Sequence, residues 1–229
     1  GRCMTVDLLI IEDDEVLIDE LITRFNEWDV NAYGISDFSD VMSDFIKIEP
    51  SLVIIDITLP KYDGFHWCRM IRNISRVPII FLSSRDHPTD MVMSMQMGAD
   101  DYVQKPFNFE VLNAKVQALL RRTYEYQDKV LDVFKFRNAV FDFKKLMITV
   151  DEDTVELTKN ESYILSILSQ SSGDTVSRTE IIEALWDDSK FISDNTLTVN
   201  INRLRKKLEN IGLNEAIQTK TGIGYILKE

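Results

Sequence analysis

The sequence predicts two domains of different class: an α/β domain with a doubly wound, five-stranded parallel sheet, followed by an α+β domain on a winged helix-turn-helix plan. Three observations carry this. The 229 residues exceed one compact domain and suit two of roughly 100 residues each. In the first half, short apolar runs alternate with longer segments of helical period, the mark of repeated β-α units. In the second half, brief alternating stretches precede three helix-start signals and a glycine-marked hairpin.

The elements follow in order. Gly1-Arg2-Cys3 precedes Met4, reads as an expression scar and is set aside. Val6–Ile11, Leu52–Ile57, Pro78–Leu82 and a short run ending at Val103 are brief, rich in Ile, Leu and Val, and predict buried strands. Ala32–Ile35 completes the five. Val16–Trp28, Phe38–Ile48, Phe65–Ile74, Thr89–Met97 and Asn108–Arg122 predict helices. The first domain spans 4–122, a polar and aromatic linker 123–129, and the second domain 130–229. There, Phe134–Phe143 and Lys145–Val150 alternate like antiparallel strands. Thr158-Lys159-Asn160-Glu161 and Ser177-Arg178-Thr179-Glu180 fit the capping box, in which two side chains satisfy orphan helix amides. Ser193 or Asp194 can cap a third helix. Ile217–Leu227 reads as two strands around Gly222-Ile223-Gly224.

Composition narrows the function. No apolar run approaches the ~18 residues of a membrane span, and there is no signal peptide, so a cytoplasmic protein without membrane insertion is expected. Two cysteines, Cys3 and Cys68, make no disulfide framework, and Cys68 suits a core position. The net charge of −12 argues against nonspecific coating of nucleic acid. Residues 1–122 hold 12 basic and 20 acidic side chains, and residues 130–229 hold 13 and 16. DNA binding must then rest on a local patch, and Arg203, Arg205, Lys206 and Lys207 offer one.

The chemistry gathers at strand ends. Glu12, Asp13 and Asp14 follow the first strand, Asp56 ends the central run, Ser83 and Ser84 end the next, and Lys105 follows the last. Parallel pairing would bring them to one sheet edge, where open α/β sheets bind ligands. Clustered carboxylates repel one another unless a cation joins them. An all-oxygen set favours Mg²⁺ over Zn²⁺. A carboxylate beside such an ion can attack a phosphoryl group, with metal, hydroxyl and ammonium neutralising the equatorial oxygens. Any one of these acids could be merely solvated; the set, with a lysine and a hydroxyl at matching ends, points to phosphoryl chemistry.

"LLIIEDD" (8–14), "IIDITLPKYDGF" (54–65), "FLSS" (81–84) and "DDYVQKPF" (100–107) resemble the flavodoxin-like receiver domains of two-component response regulators over residues 6–122. The resemblance implies that Asp56 accepts phosphate from a sensor histidine kinase. It implies Mg²⁺ bound by Asp13, by Glu12 through water, by Asp56 and by the Thr58 carbonyl, with Asp14 leaving the acidic register open. Lys105 would contact the phosphoryl group, the Lys105–Pro106 bond would be cis, and Ser83 and Tyr102 would be the switch pair. Self-dephosphorylation would be at most slow. In the OmpR/PhoB subfamily this domain forms a symmetric dimer. By match, Val92, Met95 and Ala114 would make the apolar patch, and Asp100 with Lys115 and Asp101 with Arg122 the flanking ion pairs. Met91 and Val111 stand where a basic residue and a glutamate are common. Met91, Met93, Met95 and Met97 alternate along one helix, so they cannot all be buried.

In Ser193–Glu209, Leu197, Ile201, Leu204 and Leu208 recur at helical steps and predict a buried stripe. Thr198, Val199, Asn202, Arg203, Arg205 and Lys206 lie largely off it, and Arg, Asn and Thr suit major-groove edges. A plain solvated basic helix is the competing reading. "VSRTEIIEALW" (176–186), "SDNTLTVNINRLRKKLE" (193–209) and "TGIGYIL" (221–227) resemble the effector domain of the OmpR/PhoB subfamily. That implies base contact by Arg203 and phosphate contacts by Trp186, Asn195, Asn200, Asn202, Arg205 and Thr219. Several of these positions are commonly basic or His and are Asn here. Thr221 stands where a wing Arg is common, with Lys220 as the candidate substitute. "PKYDGFHWCRMIR", "FLSSRD" and the third-helix string are similar to the BceR/GraR group, which implies control of peptide-antibiotic resistance or transporter genes. Partners would be a sensor kinase, promoter DNA, a second copy and, in transcription, RNA polymerase. The rival readings are an aspartyl-phosphate phosphatase, which needs a second acid beside Asp56, and a DNA-binding protein with a vestigial pocket.

Overall fold

A computed structural model describes the backbone of residues 6–84, 88–129, 132–186 and 194–229, with side chains except those of 88, 123–129, 186, 194 and 195. It divides into two compact units, 1–120 and 121–229.

The first unit is a parallel sheet in the order β2-β1-β3-β4-β5. Its strands are β1 (Val6–Ile11), β2 (Val30–Tyr33), β3 (Leu52–Asp56), β4 (Ile79–Ser83) and β5 (Asp101–Gln104). Every residue of β3 and β4 is buried, as expected where helices cover both faces of a parallel sheet. Leu8, Ile10, Leu52, Ile54, Ile80 and Leu82 share a core with Leu21 and Phe25 of α1 (Glu15–Asn26). Leu112, Val116 and Leu119 of α5 (Phe109–Lys129) pack into the same core. Between these helices in sequence lie α2 (Val41–Ile48), α3 (Gly64–Arg72) and α4 (Pro88–Gln96). β2 begins two residues earlier than its apolar run suggests, because Val30 and Ala32 are its inward positions. The segment expected as a linker, 123–129, carries the last turns of α5.

The strand order reverses between β1 and β3, which is the switch point of the sheet. Asp14 caps α1, accepting from the amides of Val16 and Leu17 at 3.1 and 3.2 Å. This capping role settles the acidic register and leaves Glu12 and Asp13 for the strand end. Gly64 donates to the Ile57 carbonyl at 2.8 Å, and a Cβ there would lie 2.2 Å from the Asp56 carbonyl oxygen. Only glycine lets α3 start this close to the end of β3.

The second unit opens with an antiparallel sheet, β6 (Val133–Phe136), β7 (Ala139–Asp142), β8 (Met147–Val150) and β9 (Asp153–Glu156), paired in sequence order. Helices α6 (Lys159–Gln170), α7 (Arg178–Trp186) and α8 (Asp194–Asn210) follow. Strand β10 (Thr175–Ser177), too short to announce itself in sequence, pairs with β12 (Gly224–Leu227), which also pairs with β11 (Ile217–Lys220). The α8 stripe Leu197, Ile201, Leu204 and Leu208 is buried with Phe136, Phe141 and Phe143 in one core. Thr158 and Glu161 form the full capping box of α6. At α7 the Glu180 amide donates to Ser177 at 3.0 Å. The Ser193 or Asp194 cap lies outside the described residues.

Candidate phosphoacceptor site and DNA-facing cluster

Parallel pairing puts the predicted acids together. β1 and β3 run in register through Ile11 and Ile55, so the next residues, Glu12 and Asp56, leave the sheet side by side. Carboxylate oxygens of Glu12, Asp13 and Asp56 lie within 4.8 Å of one another, with Glu12 and Asp56 buried and Asp13 exposed. Lys105 follows β5, two strands away, and its Nζ donates to Glu12 at 2.8 Å and to Asp56 at 2.9 Å. The Lys105–Pro106 bond is cis. The Thr58 amide donates to the other Asp56 oxygen at 3.1 Å. Ser83, at the end of β4, is buried, and Tyr102 on β5 is half-buried.

The electrostatics are those of a crowded anionic site. Burial pushes the Glu12 carboxyl up to about 7, and the Asp56 charge adds to that, against the opposing pull of Lys105. Burial works against the Lys105 charge, but its hydrogen bonds to Glu12 and Asp56 prevail and hold its ammonium above the ordinary value. One lysine cannot neutralise three carboxylates. The donor set is all oxygen, which fits a hard divalent cation such as Mg²⁺. Beside the pocket a cleft of about 700 Å³ is lined by Leu17, Leu21, Arg24, Lys105, Phe107 and Phe109.

The face expected to pair two copies is more occupied than the sequence suggests. Val92 is exposed and Ala114 half-buried, but Met95 is fully buried and belongs to the core. Asp100 is 1% exposed and bound to Arg72 at 3.1 Å and to the Ile79 amide at 2.8 Å. Asp101 holds Lys115 at 2.9 Å within the same chain. Within the single chain Lys115 is thus paired with Asp101, whereas the expected pairs of Asp100 with Lys115 and Asp101 with Arg122 concern contacts between two copies. Arg122, in the second unit by the chain's division, hydrogen-bonds Asn160. Arg72 was missed because an arginine near a helix end gives no sign of its partner. It also donates to the carbonyls of Gly98 and Val77, so it ties the α3–β4 and α4–β5 connections together.

In the second unit, two of the residues expected on DNA are engaged within the chain. Arg203, expected at a base edge, is turned inward: Nε donates to Glu161 at 2.8 Å, and Nη2 reaches Thr158 and Asn200 at 3.2 Å. Lys207 donates to the same Glu161 at 2.6 Å. Burial alone would raise the Glu161 carboxyl, but the charges of Arg203 and Lys207 prevail and hold it below the usual carboxylate value. Asn200, expected on a phosphate, is fully buried and donates to the Thr196 carbonyl at 3.0 Å. The physical reason is helix phase: 200, 203 and 207 share the flank of α8 that meets α6. Asn202, Lys206, Thr219 and Lys220 are exposed, while Thr198, Val199 and Arg205 are half-buried. Arg205 donates to the Ile217 carbonyl, Asn202 and Thr219. The side chains of Trp186 and Asn195 lie outside the described residues. No described helix is long and apolar enough to cross a membrane.

Comparison with known proteins agrees with both halves. Residues 8–117 match the response regulator receiver domain, and residues 151–227 match the C-terminal domain of transcriptional regulatory proteins. The sensory transduction protein BceR of Bacillus subtilis (strain 168) is 54% identical over 222 residues, covering 97% of this chain and 96% of that protein. The response regulator protein GraR of Staphylococcus aureus (strain MRSA252) is 52% identical over 224 residues, covering 98% of this chain and all of that protein. A solved structure of a RitR mutant shares the fold with a TM-score of 0.79 at 22% identity, covering 98% of this chain and 99% of that one.

Proposed function

The chain belongs to the two-component response regulators, a receiver followed by a transcriptional-regulatory C-terminal domain, and on that basis we propose how its own residues carry the signal. It is a phosphorylation-dependent transcriptional regulator, with a histidine kinase and promoter DNA as partners. Asp56 is the acceptor: a carboxylate oxygen attacks phosphorus, the bond from phosphorus to the kinase histidine nitrogen breaks, and that nitrogen keeps the electron pair. Glu12, Asp13, Asp56 and the Thr58 carbonyl would hold Mg²⁺, which when bound neutralises charge on the phosphoryl oxygens. Lys105 is already placed to turn its ammonium from Asp56 to the new phosphate. Ser83 then moves toward the phosphate and Tyr102 turns inward. The aspartyl phosphate is lost at most slowly without help.

Two copies would then pair through the face containing Val92, Ala114, Asp101 and Lys115. Val199, Asn202 and Lys206 would meet base edges of cytoplasmic promoter DNA, with Arg205, Thr219 and Lys220 on the backbone and RNA polymerase alongside. Similarity to BceR and GraR supports peptide-antibiotic resistance or transporter genes as targets. The observation that carries the reading is the Lys105 ammonium bonded to both Glu12 and Asp56 across the sheet edge. The test is promoter binding with and without acetyl phosphate, in wild type and Asp56→Ala. The donor is expected to tighten wild-type binding between about 5- and 150-fold, the usual range of coupling between sites, and to leave Asp56→Ala unchanged. Equal binding in all four conditions overturns the switch.

A further inference from the structure

The outer face of α3 carries an exposed row that neither the acceptor pocket nor the pairing face uses. Tyr62, His66, Met70 and Ile74 follow one another at four-residue steps, from the loop before α3 to the turn after it. Residues four apart in a helix share a face. Tyr62 is 47% exposed, Met70 40% and Ile74 61%, and His66 is half-buried. The Tyr62 and His66 rings stack with centroids 4.3 Å apart. Both stand edge-on to the Trp67 ring, at 5.6 and 4.7 Å. Trp67 is buried, and its indole Nε1 meets no acceptor among the described residues. Arg69 is exposed beside His66 and Met70, and its guanidinium has no hydrogen bond or ion pair among the described residues. Lys61 is exposed at the start of the row.

We propose that this face of α3 is a docking site for an acidic amphipathic helix of a partner protein, whose apolar residues lie on Tyr62, Met70 and Ile74 and whose carboxylates meet Arg69 and Lys61. The site requires neither Asp56 phosphorylation nor DNA. Its composition is that of an interface core, where aromatic residues, Met and Arg are enriched. A straight row at helical spacing offers the ridge against which a second helix packs, and amphipathic helices dock through anchors at such steps. The indole adds a separate demand. A buried donor left without an acceptor is costly, and an oxygen of the occupant removes that cost. Charge selects the occupant's sign. Residues 1–122 hold 12 basic and 20 acidic side chains, so a row edged by Lys61 and Arg69 is the exception in an acidic domain. It attracts carboxylates and turns away a basic helix. A narrow helix meets only the row, whereas a broad anionic surface such as a lipid bilayer would also meet the acidic remainder of the domain.

The test uses the full-length protein and two fluorescein-labelled helical peptides that share one leucine face. One carries glutamate on its polar face and the other lysine. Fluorescence anisotropy gives Kd for each. The glutamate helix is expected to bind about tenfold or more tightly than the lysine helix, and Arg69→Glu to reverse that order. Met70→Ser is expected to weaken the glutamate helix about fivefold or more, the loss that marks an energetic anchor. Arg69 and Met70 are exposed, so both variants should fold. Val140→Ser, at an exposed valine of the second unit, should change neither affinity. In a proton–nitrogen NMR correlation spectrum, the Trp67 indole signal, identified by its loss in Trp67→Phe, should move downfield with the glutamate helix. Equal affinity for both helices, binding of neither, or glutamate-helix binding untouched by Arg69→Glu and Met70→Ser overturns the proposal, as does a bound helix that leaves the Trp67 signal unmoved. Binding to phosphatidylglycerol vesicles in place of either helix would make the face a lipid contact and also overturns it.

Discussion

Glu161 has no solvent exposure, yet it holds Arg203, Lys207 and the Thr158 amide at once. Removing one partner from a buried ionic cluster leaves the others desolvated and uncompensated, at a cost of about 3–5 kcal/mol. Glu161→Gln is therefore expected to lower the urea midpoint of the C-terminal domain by that order. The pH dependence has a defined sign. The carboxyl is held below its ordinary value when folded, so its contribution is complete above the unfolded pKa and is lost as pH falls through the lower folded one. Acid unfolding of wild type should accordingly be steeper than that of Glu161→Gln, measured by circular dichroism. The capping pattern in the sequence marked Glu161 as a helix-start residue. It could not announce two cations 42 and 46 positions away.

Among the elements, the start of α3 is tightly constrained. Its first residue must approach the Asp56 carbonyl closer than any side chain allows. Gly64→Ala should shift the backbone that carries the acceptor and cost about 1–3 kcal/mol, the usual range for overpacking. Phosphate uptake from acetyl phosphate, followed on phosphate-affinity gels, should slow alongside the fall in urea midpoint. Wild-type uptake with only a stability change would show that the loop absorbs the strain away from Asp56. The remaining elements show what pattern reading can and cannot reach. β1, β3 and β4 were legible because their apolar runs 8–11, 52–55 and 79–82 are buried throughout, which leaves no polar position inside each run. The three-residue β10 was not, because its pairing with β12 is made 47 or more residues away in sequence.

For the whole molecule, the internal ion pairs imply that the proposed dimer should depend little on salt. Asp101 is already paired with Lys115 and Asp100 with Arg72 before any second copy arrives. Met91 and Val111 are apolar at positions where the resemblance implies a charged pair. Pairing of two copies would then exchange ionic partners rather than create them, and exposed pairs contribute only ~0–1 kcal/mol in any case. Sedimentation of the acetyl-phosphate-treated protein should give a dimer Kd that changes by less than about threefold between about 50 and 300 mM salt, across which exposed charges are progressively screened. A much larger change would mean that new intermolecular ion pairs form on this face.

Local pattern in the chain was enough to set the order of the helices and of the strands apart from β10, the acids and lysine that follow the strands, and the two-part architecture, because periodicity and helix caps repeat within a few residues. Long-range packing chose which of three consecutive acids caps a helix and which two face Asp56. It also turned Arg203 toward a carboxylate rather than open solvent. Those outcomes depend on side chains from distant segments competing for the same charges, and that competition exists only once the chain has folded.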